Sequence, residues 1–211
     1  MARIICLANS RKLSHRCIAG IYPETGLWVR PVSTRPDRAI TWAMRNVGRD
    51  EPRLLDLLEI PLGRPRPDEG MQPENRLLRD GKWEKVGEVA PEDVCQYCEA
   101  GGLLFHNADD CVPWDEVQRL PPAKRKSLQL VECHDARFWQ TVSSRNKPQA
   151  RVSFSYGHTR YDLAVTDALV EERILKGVSL GKRCLLTVSL AGKVSDAYPY
   201  CYKLAAGVIE L

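Results

Sequence analysis

Apolar residues in this chain come in short runs, each stopped by turn residues within about ten positions. Arg3–Ala8, Arg16–Tyr22 and Leu27–Val32 are the first three, and Tyr22-Pro-Glu-Thr-Gly26 separates the last two. Glycine supplies the dihedral of a tight connection, so this spacing predicts a β-hairpin. Alternation in Leu27–Val32 puts Trp28 and Arg30 on one face and Leu27 and Val29 on the other. Leu54–Leu62 and Gly81–Val89 read as further strands, and Gly63–Asn75, with its prolines, as a long loop between them. Short helices are expected over Ile40–Val47, from Pro91-Glu-Asp to about Glu99 with a stop at Gly101-Gly102, and over Pro113–Leu120. Beyond Pro121-Pro122 and a candidate linker, Ala123–Lys126, come strands at Ser127–Cys133, Phe138–Val142, Gln149–Tyr156, Thr159–Thr166, Arg183–Leu190 and Cys201–Ile209. Ala168–Leu175 is the one expected helix among them. Many short strands with few helices predict a mainly β chain built from small barrels. The proline pair divides 211 residues into two lengths that each suit one barrel. The expected domains are 1–122, a first OB-like barrel with an acidic helical insert, and 123–211, a second OB-like barrel.

Charge is partitioned along the chain. Residues 1–53 carry 10 Lys and Arg against 4 Asp and Glu, residues 54–116 carry 6 against 15, and residues 117–211 carry 15 against 8. Two basic thirds therefore flank an acidic middle, and a fold that joins the thirds would present one positive face. The acidic middle is a candidate protein-docking surface. No apolar run approaches the roughly 20 residues of a membrane helix, and the N-terminus lacks the apolar length of a secretory signal. Eight cysteines sit mostly in apolar strand-like segments, as small buried hydrophobes do in a reducing compartment. A cytoplasmic protein is expected.

From Ala136 to Tyr161 the chain runs 26 residues without an Asp or Glu. The window holds Arg137, Arg145, Lys147, Arg151 and Arg160 with Phe138, Trp139, Phe154, Tyr156 and Tyr161. Cations hold a polyanionic backbone and aromatic faces stack on bases, so this composition points to a nucleic acid, with a single strand favoured. In Arg151–Tyr156 alternation assigns Val152, Phe154 and Tyr156 to a core face and Arg151, Ser153 and Ser155 to solvent. Trp139 and the loop Ser143–Pro148, with Arg145, Lys147 and backbone amides, are the contact candidates there. The first half offers Lys12, Arg16, Trp28, Arg30 and Arg35.

Several short stretches also resemble a known family. They are Cys6-Leu-Ala-Asn-Ser-Arg-Lys12 with His15-Arg-Cys-Ile-Ala-Gly20, Trp28-Val-Arg-Pro-Val-Ser33 after Thr25-Gly26, Gln72-Pro-Glu-Asn75, Tyr161-Asp-Leu-Ala-Val-Thr-Asp167, and Cys201-Tyr-Lys-Leu-Ala-Ala206. In order, they resemble the dual OB-containing domain family of prokaryotic proteins across almost the whole chain. The resemblance implies two OB-like barrels and nucleic-acid binding, with no established catalytic activity. It carries Ser10, Lys12, Arg16, Arg30, Gln72, Glu74, Asn75, Asp162, Asp167 and Lys203 forward as site candidates.

Two further patterns compete. Cys95, Cys98, His106 and Cys111 have ligand types and a spacing that suit a structural zinc, against the alternative of buried thiols on a helix. Asp109-Asp110 and Asp115-Glu116 are carboxylates on which a nuclease could hold a divalent metal, although Asp115-Glu116 equally suits an acidic first helical turn. No Walker loop and no Gly-x-Ser-x-Gly elbow is present. The leading expectation is a binding module, not an enzyme, acting through a basic and aromatic groove across two barrels. The alternative is a protein-interaction adaptor or regulatory subunit of a larger nucleic-acid-processing or defence system.

Overall fold

A computed structural model describes residues 1–12, 14–65, 71–144 and 146–211. In the first half, β1 (Ala2–Lys12) pairs antiparallel with β2 (His15–Ile21), which pairs with β3 (Trp28–Val32) across the expected turn. A single helical turn, α1 (Trp42–Arg45), precedes β4 (Asp56–Ile60), which returns to pair with β1. Pro61 then bends the chain into β5 (Leu62–Pro65), which pairs with β6 (Asn75–Leu78), and β6 runs parallel to β3. Because β4 and β5 are two halves of one bent strand, the pairings run in a ring. β7 (Glu84–Glu88) adds to the outer edge of β4.

After α2 (Pro91–Val94), β8 (Cys111–Pro113) and α3 (Trp114–Arg119), the scheme repeats. Here β9 (Leu128–Cys133) and β10 (Arg137–Val142) are the two halves of a bent strand, hinged at residues 134–136. β10 pairs with β11 (Pro148–Tyr156), and β11 with β12 (Thr159–Val165). α4 (Ala168–Leu175) leads to β13 (Cys184–Leu190), which pairs with β9 and with β14 (Tyr200–Glu210). β14 runs parallel to β12 and closes the second ring. Both halves are thus OB-like barrels with the same order of pairing: the third strand parallel to the fifth, and a helix before the fourth. One breaks its fourth strand and the other its first. No sequence repeat announces this, because pairing order depends on which edges meet and not on which side chains meet.

Three segments depart from the sequence expectation. The presumed long loop contains β5 and the start of β6; within it, residues 66–70 lie outside the described set. The helix opened by Pro91 lasts one turn, passes into a 3-10 turn at Cys95–Tyr97, and ends at Cys98 in extended backbone. Core packing also crosses the Pro121-Pro122 break. Leu104, Phe105, Val112 and Val117 join the core of the second barrel, and β8 pairs with β14.

Four apolar clusters form among the described residues. Each barrel has its own, a small one joins Ala8 and Ala19 to Leu128 and Ala206, and a larger one lies between the barrels. Ile5, Leu7 and Ile21 of the first barrel meet Leu130, Leu185 and Ile209 of the second, with Val94 from α2. Each such side chain contributes about 1.5–3 kcal/mol when fully buried. At the centre Thr187 donates its hydroxyl to the Leu7 carbonyl at 2.6 Å. Gly207 lets β14 approach β1 so closely that a Cβ there would lie 2.1 Å from the same oxygen. Ionic pairs distribute the charge of the acidic middle: Glu59 meets Arg3, Asp56 meets Lys85, and Glu99 meets Lys126.

Candidate nucleic-acid interface

Several polar residues carried by the family resemblance join the barrels. Arg30 is 2 % exposed. Its guanidinium donates to Ser127 Oγ at 2.9 Å, to Asn75 Oδ1 at 3.3 Å and to Ser189 Oγ at 3.3 Å. Glu74 lies 4.0 Å from it and accepts from the backbone N–H and hydroxyl of Ser127 at 2.7 and 2.8 Å. Gln72 donates to the Leu190 carbonyl. This buried network spans the junction, so Arg30 is closed to phosphate, and Trp28 packs into the junction beside Ala8, Leu128 and Ala206. The Trp28/Arg30 face expected to bind is the face on which the second barrel sits. Asp167 caps α4, accepting from the N–H groups of Leu169 and Val170, and its other oxygen accepts from Val208 N–H. Burial holds its carboxyl above the usual range.

Lys203 is also internal. It donates to the carbonyl and side-chain oxygens of Asn107 and lies 5.1 Å from the Tyr161 ring centroid. Burial pulls its pKa down to about 8. Arg16 is paired with Glu51, and Arg35 with Asp37. Lys12 lines a small cleft of about 300 Å³ between the barrels, with Asp37 on one side and Trp114 on the other. The four zinc candidates are not brought together, and no group of three such ligands forms among the described residues. Cys95 and Cys98 pack against the junction cluster, where burial pushes the Cys98 thiol up to about 12. Cys111 sits on β8, opposite Tyr202. Burial and the nearby Lys126 and Lys203 pull the His106 imidazole down.

Arg137, Trp139, Arg151 and Arg160 share one face of a sheet. β10, β11 and β12 turn Phe138, Val152 and Phe154 inward and present the alternate residues outward. On that outer face Trp139 lies opposite Arg151 and Arg137 opposite Ser153. Arg151 lies opposite Ala164, and Ser155 opposite Arg160. Ala164 continues the face to Leu204 on β14. Arg137 is exposed, and no carboxylate pairs with it among the described residues. The acid-free window does not stay acid-free in space. Its two flanking residues fold back onto the face, where Asp162 accepts from Arg151 Nε at 2.6 Å and Asp135 accepts from Arg160 at 2.9 Å. The backbone N–H of Ser155, then its hydroxyl and Arg160, hold the Asp135 carboxyl below its usual range.

At the end of this face lies an open cleft of about 980 Å³. Thr141, Val142 and Ser143 form one wall, Val194, Tyr198 and Tyr202 the other, and Gln149, Arg151, Asp162 and Leu204 line its base. One wall joins the end of β10 to the β10–β11 connection, and the other joins the β13–β14 connection to the start of β14; OB barrels place these two connections beside their ligand face. Tyr198 is 69 % exposed and Tyr202 43 %. Sequence reading missed these tyrosines, although Tyr198, Tyr200 and Tyr202 recur with a period of two against buried Cys201 and Lys203. In the 143–148 loop the N–H groups of Ser143, Asn146 and Lys147 bond within the loop, so these three do not supply the expected amide grip. Lys147 is exposed there, and Arg145 lies outside the described residues.

No helix of the described residues is long and apolar enough to cross a membrane. In comparison with known protein families, the model of the dual OB-containing domain matches residues 2–208. The chain belongs to that family. No curated protein and no solved structure matches it.

Proposed function

We propose that this dual OB-containing chain is a nucleic-acid-binding module that holds a single strand on the outer face of its second barrel. The observation that carries the reading is the convergence of Trp139, Arg137, Arg151 and Arg160 on one solvent-facing sheet that runs into a tyrosine-walled cleft. Phosphates meet the exposed guanidinium of Arg137, while Trp139 and the cleft tyrosines supply stacking surfaces. Unstacked bases can reach such a cleft, whereas a duplex keeps its faces covered. The binding surface thus belongs to the second barrel, and Lys12 lines a separate cleft.

Fluorescence anisotropy with labelled single-stranded DNA, single-stranded RNA and duplexes, across a salt series, tests this. Single strands should bind more tightly than duplexes, with affinity falling steeply as salt rises. Trp139→Ala should weaken single-strand binding by about 1–3 kcal/mol without changing the unfolding midpoint. Equal binding by wild type and folded Trp139→Ala would remove that face from the site.

A further inference from the structure

We propose that the cleft at the end of the β10–β12 face reads a nucleobase by its hydrogen-bond donors and prefers guanine, with Asp162 as the specificity-determining residue. This rests on the single-strand reading above. The polar groups of the cleft decide what enters it. Asp162 and Asp110 both line it, and the Lys203 beside them is buried and donates to Asn107, so a phosphate placed there would meet like charge. Arg151 does not offset this as a free donor. Its Nε donates to Asp162 Oδ1, one terminal nitrogen to the Asp162 carbonyl at 2.8 Å, and the other to Gln149 Oε1 at 3.4 Å. Arg151 is therefore a positioning residue that fixes the carboxylate on the sheet. Asp162 Oδ2 has no hydrogen-bond partner among the described residues, and the side chain is 52 % exposed.

The cleft therefore offers tyrosine rings and valine side chains for a base and a fixed acceptor for its edge. A carboxylate has about four lone-pair sites, so Asp162 can accept two further donors side by side. Guanine alone among the common bases presents two adjacent donors on its Watson–Crick edge, N1–H and N2–H. Adenine and cytosine set a ring acceptor beside the amino group, and thymine and uracil flank one N–H with two carbonyls; each places a lone pair against the carboxylate. Stacking on Tyr198 or Tyr202 is indifferent to base identity, so the discrimination falls to Asp162.

The test uses the whole chain and labelled oligothymidylate carrying one central guanine, hypoxanthine, adenine or cytosine, with matching ribo-oligomers. Guanine should bind at least about fivefold more tightly than adenine or cytosine. Hypoxanthine, which lacks the N2 amino group, should lose most of that preference. Asp162→Asn should abolish the preference while keeping or slightly raising the affinity for plain oligothymidylate. Asp162→Glu guards against a misfolded Asn variant and should retain a reduced preference. Salt-sensitive binding that is equal for all four oligomers would overturn base reading and leave the single-strand reading standing. Preference that survives Asp162→Asn would overturn the role of Asp162. No binding by any oligomer at low salt would remove the single-strand reading, and base reading with it.

Discussion

Arg30 and Arg151 are both strand arginines near a tryptophan, and they differ in what lies over them. Arg151 faces solvent beside Asp162, whereas Arg30 is roofed by Ser127 and Ser189 of the other barrel. Arg30→Ala should therefore cost stability and not affinity. It leaves the buried Glu74 carboxylate without its cation, a loss of about 3–5 kcal/mol that a urea titration would register. Lys203 gives a pH signature. Its folded pKa, about 8, lies below the usual 10.5, so between those values the unfolded chain binds more protons. Its contribution to stability should rise as pH climbs from 8 to 10.5. Comparing wild type with Lys203→Met isolates that slope from the thiols, which titrate with the opposite sign; a parallel pH dependence in both proteins would refute it. At this scale the sequence was legible where alternation met a solvated sheet, as in Arg151–Tyr156, and misleading at Trp28 and Arg30. Alternation tells which residues share a face, and nothing local tells whether a second barrel covers it.

At the scale of elements, the closest approach is β14 over β1. Gly207→Ala would set a methyl against the Leu7 carbonyl, and neither backbone can yield easily. A loss of about 1–3 kcal/mol or more is expected from such overpacking. Gly192→Ala, with nothing within 4 Å of the added Cβ, should change the denaturation midpoint little. Strands with two-residue periodicity, such as β11 and β12, were readable because a half-buried strand stamps its period on the sequence. β6 and β8 were not. Each is three or four residues long, too short for a period, and each exists because a partner edge was waiting: β3 for β6 and β14 for β8. The tyrosine wall of the cleft did carry a period-two signal, but it straddled the boundary between a loop and the start of β14.

At the scale of the whole molecule, the two barrels share an apolar cluster and a buried ionic network. They should unfold as one unit. Calorimetry is expected to show a single transition whose van't Hoff and calorimetric enthalpies agree; two separable transitions would show the junction to be weaker than either barrel. Ring closure has another outcome, for behaviour in a crowded solution. A strand with an unpaired side is a template on which neighbouring molecules stack into fibres. Both barrels bend a strand to satisfy that side internally, which leaves β7 as the outermost strand of the first sheet. Its sequence, Glu84-Lys-Val-Gly-Glu88, carries charge at three of five positions, with Lys85 tied back to Asp56 and Glu88. A second copy pairing there would set like charges along the new seam, and the molecule is thereby insulated against its own assembly into cross-β aggregates.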